Sequence, residues 1–358
     1  MRTARPSADA AKLAFHVENL LVQAQAQASA AMTSQLSLEP LDSISMYSKA
    51  DLERYTQFWA ASGGEGSQNA KQVLARLEQA GSDWPLSPLP TDSGLQDLAV
   101  RYPNFNAPVE YVRRAVALAR LAPARGVRLA PLLLDGPPGI GKSSFARALA
   151  KAMFVPTMMF SMTQATSSFG LGGLNAQYAG GGPGYLVRTL TELAVPDALV
   201  IIDEIDKAPL RADFDPTRPL YELLEPSTSS KYVDDGLRMP LNLSALKWVC
   251  TCNDVELVPA PLRSRCKIFA VPAPSKPQLR QIALNVYREL IKGDGFSGHF
   301  DQELPDEVLT VLSDGVPRDL MLAFRDALGS AALEGRRVIR ASDIASSLQQ
   351  RRCEMGFL

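Results

Sequence analysis

The stretch that most constrains this chain runs from Leu132-Leu133-Leu134 through Asp135-Gly136-Pro137-Pro138-Gly139-Ile140-Gly141-Lys142-Ser143. Three consecutive apolar residues predict a buried strand, the glycine and proline run predicts a loop, and Ser143 to Met153 predicts a helix. Gly136-x-x-x-x-Gly141-Lys142-Ser143 is the phosphate-loop pattern, and it stands between strand and helix as its mechanism requires. The glycines let successive backbone N–H groups turn inward around phosphate oxygens, and the helix N-terminus adds partial positive charge. Lys142 is placed to reach the terminal phosphates and the Ser143 hydroxyl to ligate Mg²⁺. The expected ligand is a nucleoside triphosphate, cradled by Gly136, Pro137, Pro138, Gly139, Ile140, Gly141, Lys142, Ser143 and Ser144.

A second apolar run, Ala198-Leu199-Val200-Ile201-Ile202, predicts a buried parallel strand that ends in Asp203-Glu204. Asp203 occupies the strand's carboxyl end, where it would meet the metal, and Glu204 is placed to orient and polarise an attacking water. A third strand over Leu246 to Cys252 ends at Asn253, whose amide can hold the water or the γ-phosphate. Pro261-Leu262-Arg263-Ser264-Arg265-Cys266 precedes a last strand over Lys267 to Val271. Its two arginines admit two readings: a solvated rim, or the charge that stabilises a neighbour's transferring phosphoryl group. Strands alternating with helical stretches predict an α/β fold with a doubly wound parallel sheet.

At 358 residues the chain is long enough for two or three domains. Its 37 basic and 38 acidic residues balance to −1, so no global basic field for nucleic acid is expected. Four cysteines without a CxxC pair and only two histidines, His16 and His299, argue against a zinc site. With no apolar run of membrane-spanning length and no signal peptide, the expectation is a cytoplasmic protein with reduced thiols and no membrane partner.

Upstream, helices are expected over 8–32, over Lys49 to Ala61 and over Ala70 to Ala80, followed by a proline-stiffened linker from Trp84 to Pro90. Leu52, Tyr55, Phe58 and Trp59 stripe one face of the second helix, which reads as a core face. Another helical stretch, Leu95 to Leu121, carries Tyr102, Phe105 and Val109, expected to pack or to contact a base. Seven glycines in the fifteen residues 170–184 predict a surface loop, because ordering them is entropically costly. Beyond Pro272-Ala273-Pro274, Ser275 and Gln278 form a capping box for a helix to Ile291. Helices over Asp306 to Ser313, Pro317 to Leu333 and Ser342 to Arg351 complete a helical region, with Arg318 at a helix start. The expected division is an N-terminal helical module (1–94), an α/β nucleotide-binding domain (95–272) and a C-terminal helical lid (273–358).

Together these motifs resemble an AAA+ ATPase, and the likeness is to the ATPase module of Lon-type proteases. It rests on Gly136 to Ser144, on Tyr178-Ala179-Gly180-Gly181-Gly182-Pro183-Gly184, on Asp203-Glu204-Ile205-Asp206-Lys207, and on the tract from Leu220 to Ser244. It covers roughly residues 130–270 and implies a P-loop NTPase core, ATP and Mg²⁺, and a homo-oligomeric ring, usually of six subunits. It further implies Asp203 as metal ligand, Glu204 as water activator, Asn253 as first sensor, Arg265 as the finger given to a neighbour, and Arg318 as second sensor. Tyr178 falls where such rings place a polypeptide-gripping pore aromatic, and Tyr232 lies in the second pore-facing segment.

Departures from Lon are informative. The chain ends at Leu358 with no room for a Ser–Lys peptidase domain, so it is expected not to be a protease itself. The leading expectation is an ATP-hydrolysing ring motor that remodels or unfolds a protein partner. One alternative is an ATP-gated assembly scaffold for a partner enzyme. A weaker one, resting on Ser264-Arg265-Cys266, is a DNA-linked relative of clamp-loader ATPases, against which the near-neutral charge argues.

Overall fold

The computed structural model describes residues 43–122, 126–165, 169–175, 178, 181–209, 215–313 and 315–346. The expected helix over 8–32 and the end of the one over 342–351 lie outside them; residues 341–346 are helical. The chain divides into two compact units that do not follow chain order. The first takes residues up to Leu95, Glu110–Asp135 and Ala146–Phe269, and the second takes Gln96–Val109, Gly136–Phe145 and Ala270 onward.

The first unit is built on a five-stranded sheet of β3 (Leu132–Asp135), β4 (Thr157–Ser161), β5 (Leu199–Asp203), β8 (Lys247–Cys252) and β9 (Lys267–Ala270), ordered β4-β5-β8-β3-β9. The β4–β5, β5–β8 and β3–β8 ladders are parallel, as the expected α/β class requires. Leu133, Val200, Ile202, Cys250 and Trp248 from these strands are buried against Leu186 and Leu190 of a helix over Tyr185–Leu193. All six residues of β8 are buried, the polar Lys247 and Thr251 among them, as a central strand covered on both faces requires. Two short antiparallel pairs flank the sheet: β1 (Ser43–Ser45) with β2 (Asp83–Pro85), and β6 (Tyr232–Val233) with β7 (Pro240–Leu241).

Upstream residues share this core. Helix α1 (Lys49–Ala60) starts at Ser48, whose hydroxyl accepts the Asp51 N–H at 3.1 Å. Helix α2 (Glu65–Ala80) begins five residues earlier than the pattern predicts. Trp59, Val73, Leu74, Leu77 and Trp84 bury themselves with the strands of the sheet. The Trp59 indole N–H, taken out of water, donates to the Leu237 carbonyl at 3.0 Å. The stripe on α1 is thus partly core: Trp59 is buried, whereas Phe58 remains 44% exposed. The Trp84–Pro90 stretch, expected to be a spacer, is docked. Ser87 donates its N–H and hydroxyl to the Asp197 carboxylate at 3.2 and 2.7 Å, and that carboxylate also pairs with the buried Lys247 ammonium at 2.7 Å.

The second unit is largely helical. The capping box is present, with the Ser275 N–H donating to Gln278 Oε1 at 2.9 Å at the head of α7 (Lys276–Gly293). Helices α8 (Asp306–Leu312) and α9 (Pro317–Leu333) pack Val308, Leu312, Leu320, Phe324 and Leu328 against Leu279, Tyr287 and Ile291 of α7. The numbering leaves α3 (Asp92–Arg101), α4 (Asn106–Leu121), α5 (Lys142–Ala152) and α6, the Tyr185–Leu193 helix, between α2 and α7. No described helix is long and apolar enough to cross a membrane.

Candidate functional site

Because β5 and β8 run parallel and adjacent, their carboxyl ends bring Asp203 and Asn253 to one edge of the sheet. Two residues that the motif reading passed over join them. The Thr251 hydroxyl donates to Asp203 Oδ1 at 2.7 Å and accepts the Glu204 N–H at 3.0 Å, so one buried side chain touches both acidic residues. Asp206, its side chain wholly buried, accepts the Asn253 N–H at 3.2 Å and forms an ion pair with the Lys207 ammonium at 3.3 Å; its other oxygen has no hydrogen-bond partner among the described residues. Thr251 stands two residues before Asn253 on the strand, a period-two relation that could have flagged it.

Glu204 adopts φ 55°, ψ 51°, the left-handed region, where a residue with a Cβ is strained by ~1 kcal/mol or more. It ends β5 abruptly, and the short turn Ile205–Lys207 follows. Such strain persists only where surrounding contacts hold it, and here the Thr251 hydroxyl holds the Glu204 amide.

The arginines before β9 both lie against their own unit. Arg263 pairs with Glu256 at 2.6 Å. Arg265 donates from Nη1 to the Pro261 carbonyl at 2.6 Å, and its guanidinium sits 5.9 Å from the centre of the Tyr221 ring.

The glycine loop belongs to the second unit. Gly139 and Gly141 take φ of 80° and 98°, a region closed to most side chains, and so curl the backbone ahead of α5. Lys142 is buried and donates to the Gly136 and Pro137 carbonyls at 2.6 and 2.8 Å, which draws its ammonium over the loop. At the start of α9 the backbone N–H of Arg318 donates to the Gly139 carbonyl at 3.2 Å. The residues weighed as base contacts pack instead. Phe105 and Val109 are buried, Phe105 stacks on Phe145 at 4.4 Å, and the Tyr102 hydroxyl meets the Ser144 hydroxyl at 2.8 Å. A curled glycine loop at a helix N-terminus, bearing a Lys and a Ser, is the donor set that a Mg²⁺-bound triphosphate takes.

The glycine-rich stretch 170–184 is only partly a surface loop. Leu171, Gly172 and Gly173 are buried, and Leu174 pairs with Gly182 as an antiparallel bridge. The glycines serve close backbone approach rather than freedom. Tyr178 stands out at 65% exposed. Tyr232 does not: expected to face a pore, it is 4% exposed and packed against Gly172. Burial, with Asp234 nearby, raises its phenol well above the usual range. The neighbouring Asp234, also missed by motif reading, is buried and its carboxyl is pushed up to about 7, chiefly by desolvation.

A parallel α/β sheet with paired acids at a strand end, and a curled glycine loop before a helix, are features of the P-loop NTPase fold class. Residues 132–272 match the family described as ATPase family associated with various cellular activities (AAA). This region is similar to part of Lon protease homologues. It is 36% identical over 140 residues to the mitochondrial homologue of Zea mays, covering 39% of this chain and 14% of that one. It is 32% identical over 154 residues to the Lon protease of Desulfovibrio desulfuricans, covering 42% and 17%. The chain therefore matches less than a fifth of the length of these relatives. Among solved structures, the Thermotoga maritima RuvB Holliday junction branch migration motor aligns with a TM-score of 0.44 at 18% identity, over 67% of this chain and 68% of that one.

Proposed function

We propose that this chain is a subunit of an ATP-hydrolysing ring, of six subunits as the resemblance implies, that remodels or unfolds a protein partner. The observation that carries the reading is Tyr178, exposed on a braced turn of the same unit that holds Asp203 and Glu204. In this reading Lys142 and the loop N–H groups hold the phosphates of ATP, and Ser143 and Asp203 hold Mg²⁺. When bound, the metal offsets charge on the phosphate oxygens. Glu204 takes the proton of the attacking water while Asn253 orients it. Arg265 serves the site of an adjacent subunit, Arg318 reads the nucleotide from the helical unit, and Tyr178 grips the polypeptide.

The test is ATP turnover, and unfolding of a fluorescent protein bearing an unstructured tail, by wild type against Lys142→Ala, Glu204→Gln and Tyr178→Ala. The first two lose turnover and the third loses unfolding. Unfolding by Tyr178→Ala at the wild-type rate sinks the threading role. A second reading, an ATP-gated scaffold, draws support from the 44% exposed Phe58 and the half-buried Tyr55 of α1. There Arg238 lies 5.5 Å from the Phe58 ring and Arg54 lies 4.8 Å from Tyr55. Slow turnover despite ring formation, with a partner retained through residues 1–90, would favour it. Electron microscopy of the Glu204→Gln protein with ATP reads both ring size and threaded density.

A further inference from the structure

Two segments about fifty residues apart in the chain meet at one buried carboxylate. Asp234 Oδ2 accepts the Gly184 N–H at 2.9 Å, and Oδ1 accepts the N–H groups of Gly236 and Leu237, each at 2.9 Å. A backbone bond runs back the other way, from the Asp235 N–H to the Gly172 carbonyl at 3.0 Å. The two backbones also touch: a methyl on Gly236 would collide with the Gly182 carbonyl, and one on Gly173 with the Asp234 carboxylate itself. A carboxyl group suits this junction because both of its oxygens can accept, and three N–H donors converge on them. An amide in its place would turn an NH₂ group toward one of those donors.

From this junction a continuous set of bonds leads to Tyr178. Leu174 and Gly182 exchange N–H···O bonds of 3.0 and 2.7 Å. The Tyr178 N–H donates to the Asn175 carbonyl at 3.0 Å, and the Tyr178 carbonyl accepts the Gly181 N–H at 2.9 Å. The exposed Tyr178 is thus bonded to Asn175 and Gly181 beside the Leu174–Gly182 bridge, whose flanking residues are tied to the β6–β7 hairpin.

We propose that Asp234 is a positioning residue for Tyr178: it fuses the base of the Tyr178 turn to the β6–β7 hairpin, so that the two segments move as one body. The proposal rests on the gripping role given to Tyr178 above, and it explains why Tyr232 is buried. The hairpin braces the exposed aromatic instead of presenting a second one.

Hydrogen exchange on the wild-type protein tests the junction without any variant. The amides of Gly184, Gly236 and Leu237 should exchange through one shared opening, with protection alike within about threefold and the same urea dependence. Gly184 exchanging freely while Gly236 and Leu237 stay protected overturns the proposal. In Asp234→Asn all three should exchange at least about tenfold faster, while β5 and β8 amides keep their protection. Stimulation of ATP turnover by unfolded casein then reads the consequence, and Asp234→Asn should lose it as Tyr178→Ala does. Loosened loops with full stimulation, against lost stimulation in Tyr178→Ala, refute the positioning role. If Tyr178→Ala itself keeps full stimulation, the gripping reading fails and the positioning role falls with it, while the exchange data still decide whether the segments open together.

Discussion

Thr251 bridges Asp203 and Glu204: its hydroxyl donates to the Asp203 carboxylate at 2.7 Å and accepts the Glu204 amide N–H at 3.0 Å. One side chain thus sets the rotamer of one acid and the backbone turn of the next. Replacing Thr251 by Val keeps the shape and removes both bonds. Because ångström-scale misplacement of reacting groups can cost about 10²-fold, Thr251→Val should lower kcat by ~10- to 100-fold with little change in ATP affinity. Thr251→Ser should restore most of it. Equal loss in both variants, measured by steady-state turnover and nucleotide binding, would show that the hydroxyl is not the cause.

The two arginines before β9 are held differently, Arg263 by the Glu256 carboxylate and Arg265 by a carbonyl and a ring. An ion pair engages the charge of Arg263, whereas Arg265 has no counter-ion among the described residues. Arg265→Ala should therefore lower turnover by ~10³-fold or more with ATP binding nearly intact, the range known for arginine fingers. Arg263→Ala should cost far less. The reverse ranking in an ATPase assay would exchange their roles.

The pair Lys247–Asp197 is buried at 3% and 4% side-chain exposure and also secures Ser87. Removing one partner leaves an uncompensated buried charge, so Lys247→Met or Asp197→Leu should each destabilise by roughly 3–5 kcal/mol. The double change Asp197→Leu with Lys247→Met should recover part of that loss. Urea midpoints of the three proteins give the comparison, and strict additivity would refute direct coupling of the two charges.

Asp234 gives a pH dependence of unusual sign for a carboxylate. Its folded-state pKa is raised from 3.8 to about 7, so between those values the native state holds a proton that the unfolded chain has released. Stability from this group is therefore present at the acid end and lost as pH rises toward 7. The slope is on the order of 1 kcal/mol per pH unit. Asp234→Asn cannot titrate, and its urea midpoint should fall less than that of wild type between pH 5.5 and 7.5. Parallel slopes would contradict the raised pKa.

How much of this was legible in the residues varies by element. The strand ending at Asp203, the capping box at Ser275 and the helix Pro317–Leu333 emerge where local pattern puts them. The phosphate loop's curl follows from glycines within its own six residues. Thr251 was half legible, since it lies two residues from Asn253, but its partner Asp203 is 48 residues away. The glycine-rich stretch misled, because composition reports the entropy of glycine and not the close approach that glycine permits.

The sequence by itself determined a parts list: a phosphate-loop motif, paired acids at a strand end, a polar strand terminus and capped C-terminal helices. Each is written in residues one to eight positions apart, where backbone period and local hydrogen bonding dominate. Tertiary structure alone decided that residues from Met46 to Trp84 would share the sheet's core, that Ser87 would dock on Asp197, and that Asp234 would be buried beneath the Tyr178 turn. Those outcomes depend on which distant surface a side chain leaves water to meet. Such choices are settled by shape and by the cost of an unpaired buried polar group, neither of which any local pattern records.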